Sequence, residues 1–215
     1  AGVSGPSDVL GGSRGLLEVF GREAAADELL APRPVGLPEL SFKLHACLFF
    51  GQAAVEATLE ALGHTRWQDV ERADLFIPEQ AYSVRDFESY PQTRLAAQSD
   101  LRYLVAIALR FGRVTLAEFT PDVQRSLDVK ELWQRVRVAG RKNLSALYPE
   151  RWPAEVRLHL RDGRALGAKV VSAKGAPERP LTWDELQAKA GLPEEVLELV
   201  RRLDKLDDVR PLLEI

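Results

Sequence analysis

Three observations predict an α+β fold for this chain of 215 residues. The stretch EVRLHLRDGRALGAKVV (155–171) alternates Val156, Leu158 and Leu160 with Arg157, His159 and Arg161, and Asp162-Gly163 supplies a two-residue hairpin turn. Residues 94–111 place Leu101, Leu104, Val105, Ala108 and Phe111 on one helical stripe that Gly112 closes. Near the C-terminus, Pro193 opens a last helix whose apolar face is Val196, Leu199, Val200, Leu203 and Leu206. A hydrophobic content of 46% gives such a mixture a real core, in one globular unit or one and a half.

The elements come in order along the chain. Gly-Pro at 5–6 and Gly11, Gly12 and Gly15 punctuate a loop; an apolar patch at Leu16, Leu17, Val19 and Phe20 and a helical stretch over 24–30 come next. APRPVGLPEL (31–40), with three prolines and a glycine, is the best boundary in the sequence. LSFKLHACLFF (40–50) is a short apolar run holding one lysine and one histidine. Gln52 to Leu62 is a helix with Val55, Leu59 and Leu62 on one face and Gly63 at its C-terminal end. VERADLFIPEQAYSV (70–84) is strand-like around Pro78, and a second helix is expected over 128–137. After the hairpin, Thr182 to Glu185 is a capping box before a short helix that Gly191 ends.

Composition excludes several classes of function. A net charge of -3 and 28% charged residues argue against disorder and against nucleic-acid binding. No apolar run approaches a membrane span, and AGVSGPSDVL lacks the basic and apolar regions of a secretory signal. The single Cys47 rules out an intrachain disulfide and a cysteine-built zinc site. A soluble, cytoplasmic protein is the expectation. Methionine is absent even at position 1, so the opening fits removal of an initiator residue and fits the middle of a longer chain.

The residues that can carry chemistry are few. Lys43 and His45, two apart, would share one face of a strand and meet one anion there; the alternative is a strand end whose lysine reaches solvent. Cys47 suits packing better than nucleophilic attack, and His64 and His159 suit solvated positions. In YSVRDFESYPQT (82–93), Tyr82, Arg85, Asp86, Glu88 and Tyr90 can build an ion-pair network or an anion site, and the spacing does not choose. Arg137, Arg141 and Lys142 form a small basic cluster, most simply a solvated face. No phosphate-binding glycine loop, Ser-His-Asp pattern, HExxH or calcium loop is present.

Four segments, in the right order, resemble the C-terminal half of the MmgE/PrpD family, which includes 2-methylcitrate dehydratases and cis-aconitate decarboxylases. VSGPSDVLGGSRGLLEVF (3–20) is similar to the family's TGP…LEG…GF…F segment. SFKLHACLFFGQAAVEATLEAL (41–62) resembles its lysine, short turn and helix. SYPQTRLAAQSDLRYLVAIALRFGRVTLAEFTP (89–121) resembles its P-x-TR-x-x-x-DHS-x-x-Y helix with the downstream ALLDG-x-V-x-x-x-x-F. LYPERWPAEVRLHLRDGRAL (147–166) resembles its YP…wPa…V hairpin.

The resemblance implies an α+β lid and a large all-helical domain, with a small di- or tricarboxylate bound between them. On that template residues 1–35 belong to the helical domain, 36–178 form the lid and 179–215 pack on the helical domain, most of which would precede this chain. Lys43 falls on the family's lid lysine, Tyr103 keeps its tyrosine and Arg94 the arginine of its TR pair. His45 and Gln52 stand where relatives often have an aromatic and a histidine, and Gln98, Ser99 and Asp100 replace Asp-His-Ser. The implied catalytic set is Lys43, Tyr103 and His45, with Arg94, Gln52, Ser99 and Arg85 toward substrate.

The implied reaction is a hydro-lyase step that needs no metal or organic cofactor and is completed by a helical partner, by a second copy or by another chain. Two alternatives stand beside it: a non-catalytic lid or interaction domain, and an isomerase on the same scaffold. Exposed apolar surface on residues 8–30 and the C-terminal helix is expected to drive association.

Overall fold

A computed structural model of the chain describes residues 9, 12, 15, 40–82 and 89–210. The chain divides into two units, Ala1–Leu37 and Pro38–Ile215, and the second holds the sheet and the helices described below. The helical stretch expected over 24–30 lies outside the described residues.

Nine α-helices and a four-stranded mixed sheet are formed among the described residues, as an α+β fold requires. The sheet runs β2-β1-β3-β4, with β1 Val70–Ile77, β2 Val136–Gly140, β3 Ala154–Leu160 and β4 Ala165–Val170. β1 is parallel to β2, with Leu75 opposite Val138, and antiparallel to β3, with Leu75 opposite Val156. A parallel pair needs a long crossover, and the described helices between Glu79 and Arg135 lie in it. The alternation seen in the sequence holds: Leu75, Ile77, Val156, Leu158 and Leu160 are buried, while Arg157 is exposed.

Helix α1 (Phe49–Leu62) packs on β3 and β4 and on a later helix, α4 (Leu101–Phe111). It begins three residues before the expected start and ends, as expected, before Gly63 at φ 51°. β1 stops at Pro78, which cannot donate to a ladder, and α2 (Glu79–Tyr82) follows. The long helix expected over 94–111 is two helices, α3 (Arg94–Ser99) and α4. Asp100 makes the break: its backbone is extended, and its carboxylate caps α4 by accepting the Tyr103 N–H at 2.8 Å. The buried stripe belongs to α4 alone: α3 buries only Ala97 and leaves Leu95 exposed. α4 carries the heart of the core, with Leu101, Tyr103, Leu104, Val105, Ile107 and Ala108 fully buried.

The 128–137 helix is shorter than expected. After α5 (Pro121–Arg125), α6 (Leu127–Arg135) gives way to β2, whose partner β1 lies far upstream. α7 (Lys142–Ser145) leads toward the hairpin. There the Leu160 N–H donates to the Arg164 carbonyl at 2.8 Å, so the loop is three residues (Arg161, Asp162 and Gly163, φ 87°) rather than two. α8 (Trp183–Ala190) has the capping box of Thr182 and Glu185 and ends at Gly191, φ 60°, both as expected. α9 (Glu194–Arg201) ends before Leu203, and the face buried is Val196 and Leu197; Val200 and Leu203 of the expected face are 37% and 45% exposed. No described helix is long and apolar enough to cross a membrane.

Candidate functional site

The segment 40–48 is not a strand. It is a run of extended and bent residues between the connector and α1, and its backbone bonds to surrounding elements rather than to a ladder. The shared strand face expected for Lys43 and His45 therefore does not exist. A strand needs a neighbouring edge, and the described edges flank β2 and β4.

Long-range hydrogen bonds hold this segment instead. The Phe42 N–H donates to the Gly175 carbonyl at 2.8 Å, the Ala46 N–H to Val114 at 3.2 Å, and the Leu48 N–H to Gln98 at 3.0 Å. Gln52, on the first turn of α1, accepts the His45 N–H on Oε1 at 2.9 Å and donates Nε2 to the His45 carbonyl at 2.9 Å. The same amide reaches the Cys47 carbonyl at 3.3 Å and its Sγ at 3.1 Å. From α3, Gln98 donates to the Ala46 carbonyl at 3.0 Å, and from α8 the Lys189 ammonium donates to Leu44 at 3.2 Å. Gly175, at φ 96°, has no room for a Cβ, which would overlap the Phe42 carbonyl oxygen. Apart from Gln52, each staple comes from a part of the chain remote in sequence, and together they fix where Lys43 emerges.

Lys43 itself is exposed. On one side of it in sequence, Ser41 and Phe42 line a cavity of about 190 Å³ with Phe49, Trp152, Ser172 and Glu178. On the other, Leu44, His45 and Ala46 line an open groove of about 700 Å³ with Arg113, Glu185 and Lys189. His45 is half-buried, and burial lowers its pKa; Glu56 opposes that shift and Lys189 adds to it. Its imidazole is accordingly neutral at neutral pH. Burial pushes the Cys47 thiol up to about 12 against the pull of Lys43 and Lys189, so Cys47 is an inert packing group.

The other expected residues fall elsewhere. Tyr103 is fully buried, and its hydroxyl donates to the Glu118 carbonyl at 2.8 Å. Its ring lies edge-on to Tyr90 and beside Phe119. Tyr103 lines neither of these two cavities beside Lys43. It lies off the stripe of Leu101, Leu104, Val105 and Ala108, and is buried because α4 is enclosed on nearly every side. Arg94 opens α3, is exposed, and lines a different cavity with Tyr90, Gln124 and Lys130. Ser99, on the last turn of α3, is half-buried and interacting. Arg85, with Asp86 and Glu88, lies outside the described residues. Gln52 reaches the segment, but its amide is spent on backbone.

Sequence reasoning missed Lys189, Gly175 and the stapling role of Gln98. Gly175 follows a lysine in an ordinary turn and Lys189 sits on an exposed helix, so neither carries a local signal. Among the described residues no three metal-ligating side chains come together.

Residues 45–202 match the family model described as the MmgE/PrpD C-terminal domain. No curated protein matches the chain.

Proposed function

From membership of the MmgE/PrpD family, to which this chain belongs, we propose that it forms the lid side of a lyase-type site for a small di- or tricarboxylate, of the 2-methylcitrate dehydratase kind, in the cytoplasm. One observation carries the reading. An exposed ammonium, Lys43, stands on a segment whose backbone is stapled from α1, α3 and α8 and whose flanks line two cavities.

Dehydration removes a proton beside a carboxylate and expels hydroxide from the neighbouring carbon, which leaves as water once protonated. The electron-rich species between these steps spreads charge onto the carboxylate. A pre-placed cation stabilises that charge without reorganising, so a pinned lysine does more than a mobile one. The neutral His45 ring can take a proton. Tyr103, buried and bonded, acts as a positioning residue for the α3–α4 platform. A helical domain, in whatever chain it is carried, closes the cleft and adds further acid–base groups. Exposed Leu40, Phe42, Trp183 and Leu192 offer apolar surface for that docking or for a second copy.

The test measures dehydration of 2-methylcitrate by the chain together with a helical domain. Lys43→Ala abolishes turnover on this reading, and wild-type rates in that variant overturn it. A second reading, a non-catalytic lid, has its own observation: Gln52 and Gln98 commit their amides to the segment's backbone. Calorimetry separates the two, since micromolar binding of a tricarboxylate removes the second.

A further inference from the structure

A second polar site lies on the sheet, on the face opposite Leu75, Val156 and Leu158. Arg72, Arg135, Arg137 and His159 line one cavity of about 350 Å³ there, with Gln134 and Glu71. Strand register brings them together: Arg72 is opposite His159, and Asp74 is opposite both Arg137 and Arg157. The α6–β2 junction adds Arg135, the last residue of α6.

Of the two carboxylates here, Asp74 is already committed, whereas Glu71, which lines the cavity, is exposed and makes no ion pair among the described residues. Both Asp74 oxygens accept from Arg72, at 3.0 and 3.1 Å, and His159 Nε2 lies 2.8 Å from one of them. Burial works to raise the Asp74 pKa, yet the bonds from Arg72 and His159 outweigh it and the carboxyl is held below its usual value. Among the described residues Arg135 pairs only with Glu131, at 3.4 Å, and that partner is 65% exposed. A pair so open contributes little. Arg137, exposed, makes no ion pair or side-chain hydrogen bond among the described residues. Three guanidiniums therefore face one concavity against Asp74 and Glu71, a local cationic excess in a chain whose net charge is -3.

We propose that this cavity binds a phosphate group, held by Arg137 and Arg135 with Arg72 and His159 at its wall. A planar carboxylate is satisfied by one guanidinium fork, whereas a tetrahedral phosphate accepts from several directions at once and matches donors arriving from β1, α6, β2 and β3. The site shares no residue with the Lys43 segment and does not depend on the lyase reading.

The experiment titrates the full chain with inorganic phosphate, and separately with glycerol 3-phosphate, at constant ionic strength, following the His159 ring resonances. Saturable shifts are expected with both probes; tighter binding of the ester identifies an organic phosphate as the ligand, and equal binding identifies the free ion. Arg137→Gln is expected to weaken binding about tenfold, through loss of a charge-assisted fork. Lys169→Gln, on β4 and outside the cavity, is expected to change it less than about twofold, as a screened surface charge. Absence of saturation below about 10 mM, too weak for any specific site, overturns the proposal, as does an equal loss in the two variants.

Discussion

The segments 41–52 and 93–103 both lie in stretches that resemble the family, yet the fold uses them in opposite ways. In the first, the backbone is drawn inward by Gln52 and Gln98 while the Lys43 side chain stays exposed. In the second, the side chains go inward: Tyr103 is fully buried, and Asp100 is pinned by the Trp133 indole at 3.2 Å. A motif match thus identifies a position in a fold without saying whether its side chain faces ligand or core. That depends on how the element carrying it is packed. Tyr103 lies off the α4 stripe but on a helix buried on nearly every side, whereas Lys43 lies outside any helix or strand.

The contrast is sharpest in stability. Tyr103→Ala should lose about 3–5 kcal/mol in urea unfolding, the cost of emptying a packed aromatic site. A loss below about 1 kcal/mol, usual for surface changes, would move Tyr103 out of the core. Gln52→Ala should cost about 1–3 kcal/mol, because it strips partners from the buried backbone of residues 45–47. Hydrogen exchange at the His45 and Cys47 amides should rise in that variant; unchanged exchange there would show that the staple is dispensable.

Asp100 adds a pH dependence confined to the second segment. Burial raises its pKa above 3.8, against lowering by the Tyr103 N–H, the Trp133 indole and Arg102. The folded state therefore binds the proton more tightly than the unfolded chain. Its stabilising share is complete below pH 3.8 and is lost as pH rises through the raised folded value. Relative to wild type, Asp100→Asn should gain stability as pH rises from about 4 toward 7, read as the difference in urea midpoints. A difference that is flat with pH would show that Asp100 titrates normally. The smallest stability effect belongs to the first segment: Lys43→Ala should shift unfolding by no more than about 0.5 kcal/mol, as an exposed side chain. A larger loss would make Lys43 structural and weaken its case as a substrate cation.

Where periodicity or turn chemistry speaks, the elements could be read directly. The hairpin, the α8 capping box and the glycine stops at Gly63, Gly112 and Gly191 follow from local rules that need no partner. The reading failed where a remote group decides. β2 forms because β1 offers it an edge, Asp100 breaks a helix because Trp133 and the α4 N-terminus claim its carboxylate, and 40–48 lacks a strand because no ladder reaches it.

The sequence by itself determined the α+β class and the family likeness, since both are written in residue type and short spacing. Only the tertiary structure decided that Lys43 rides a stapled segment, that Tyr103 is withdrawn into the core and that three arginines meet at one cavity. Those outcomes rest on hydrogen bonds and strand register between residues that are mostly tens of positions apart, which no local pattern encodes.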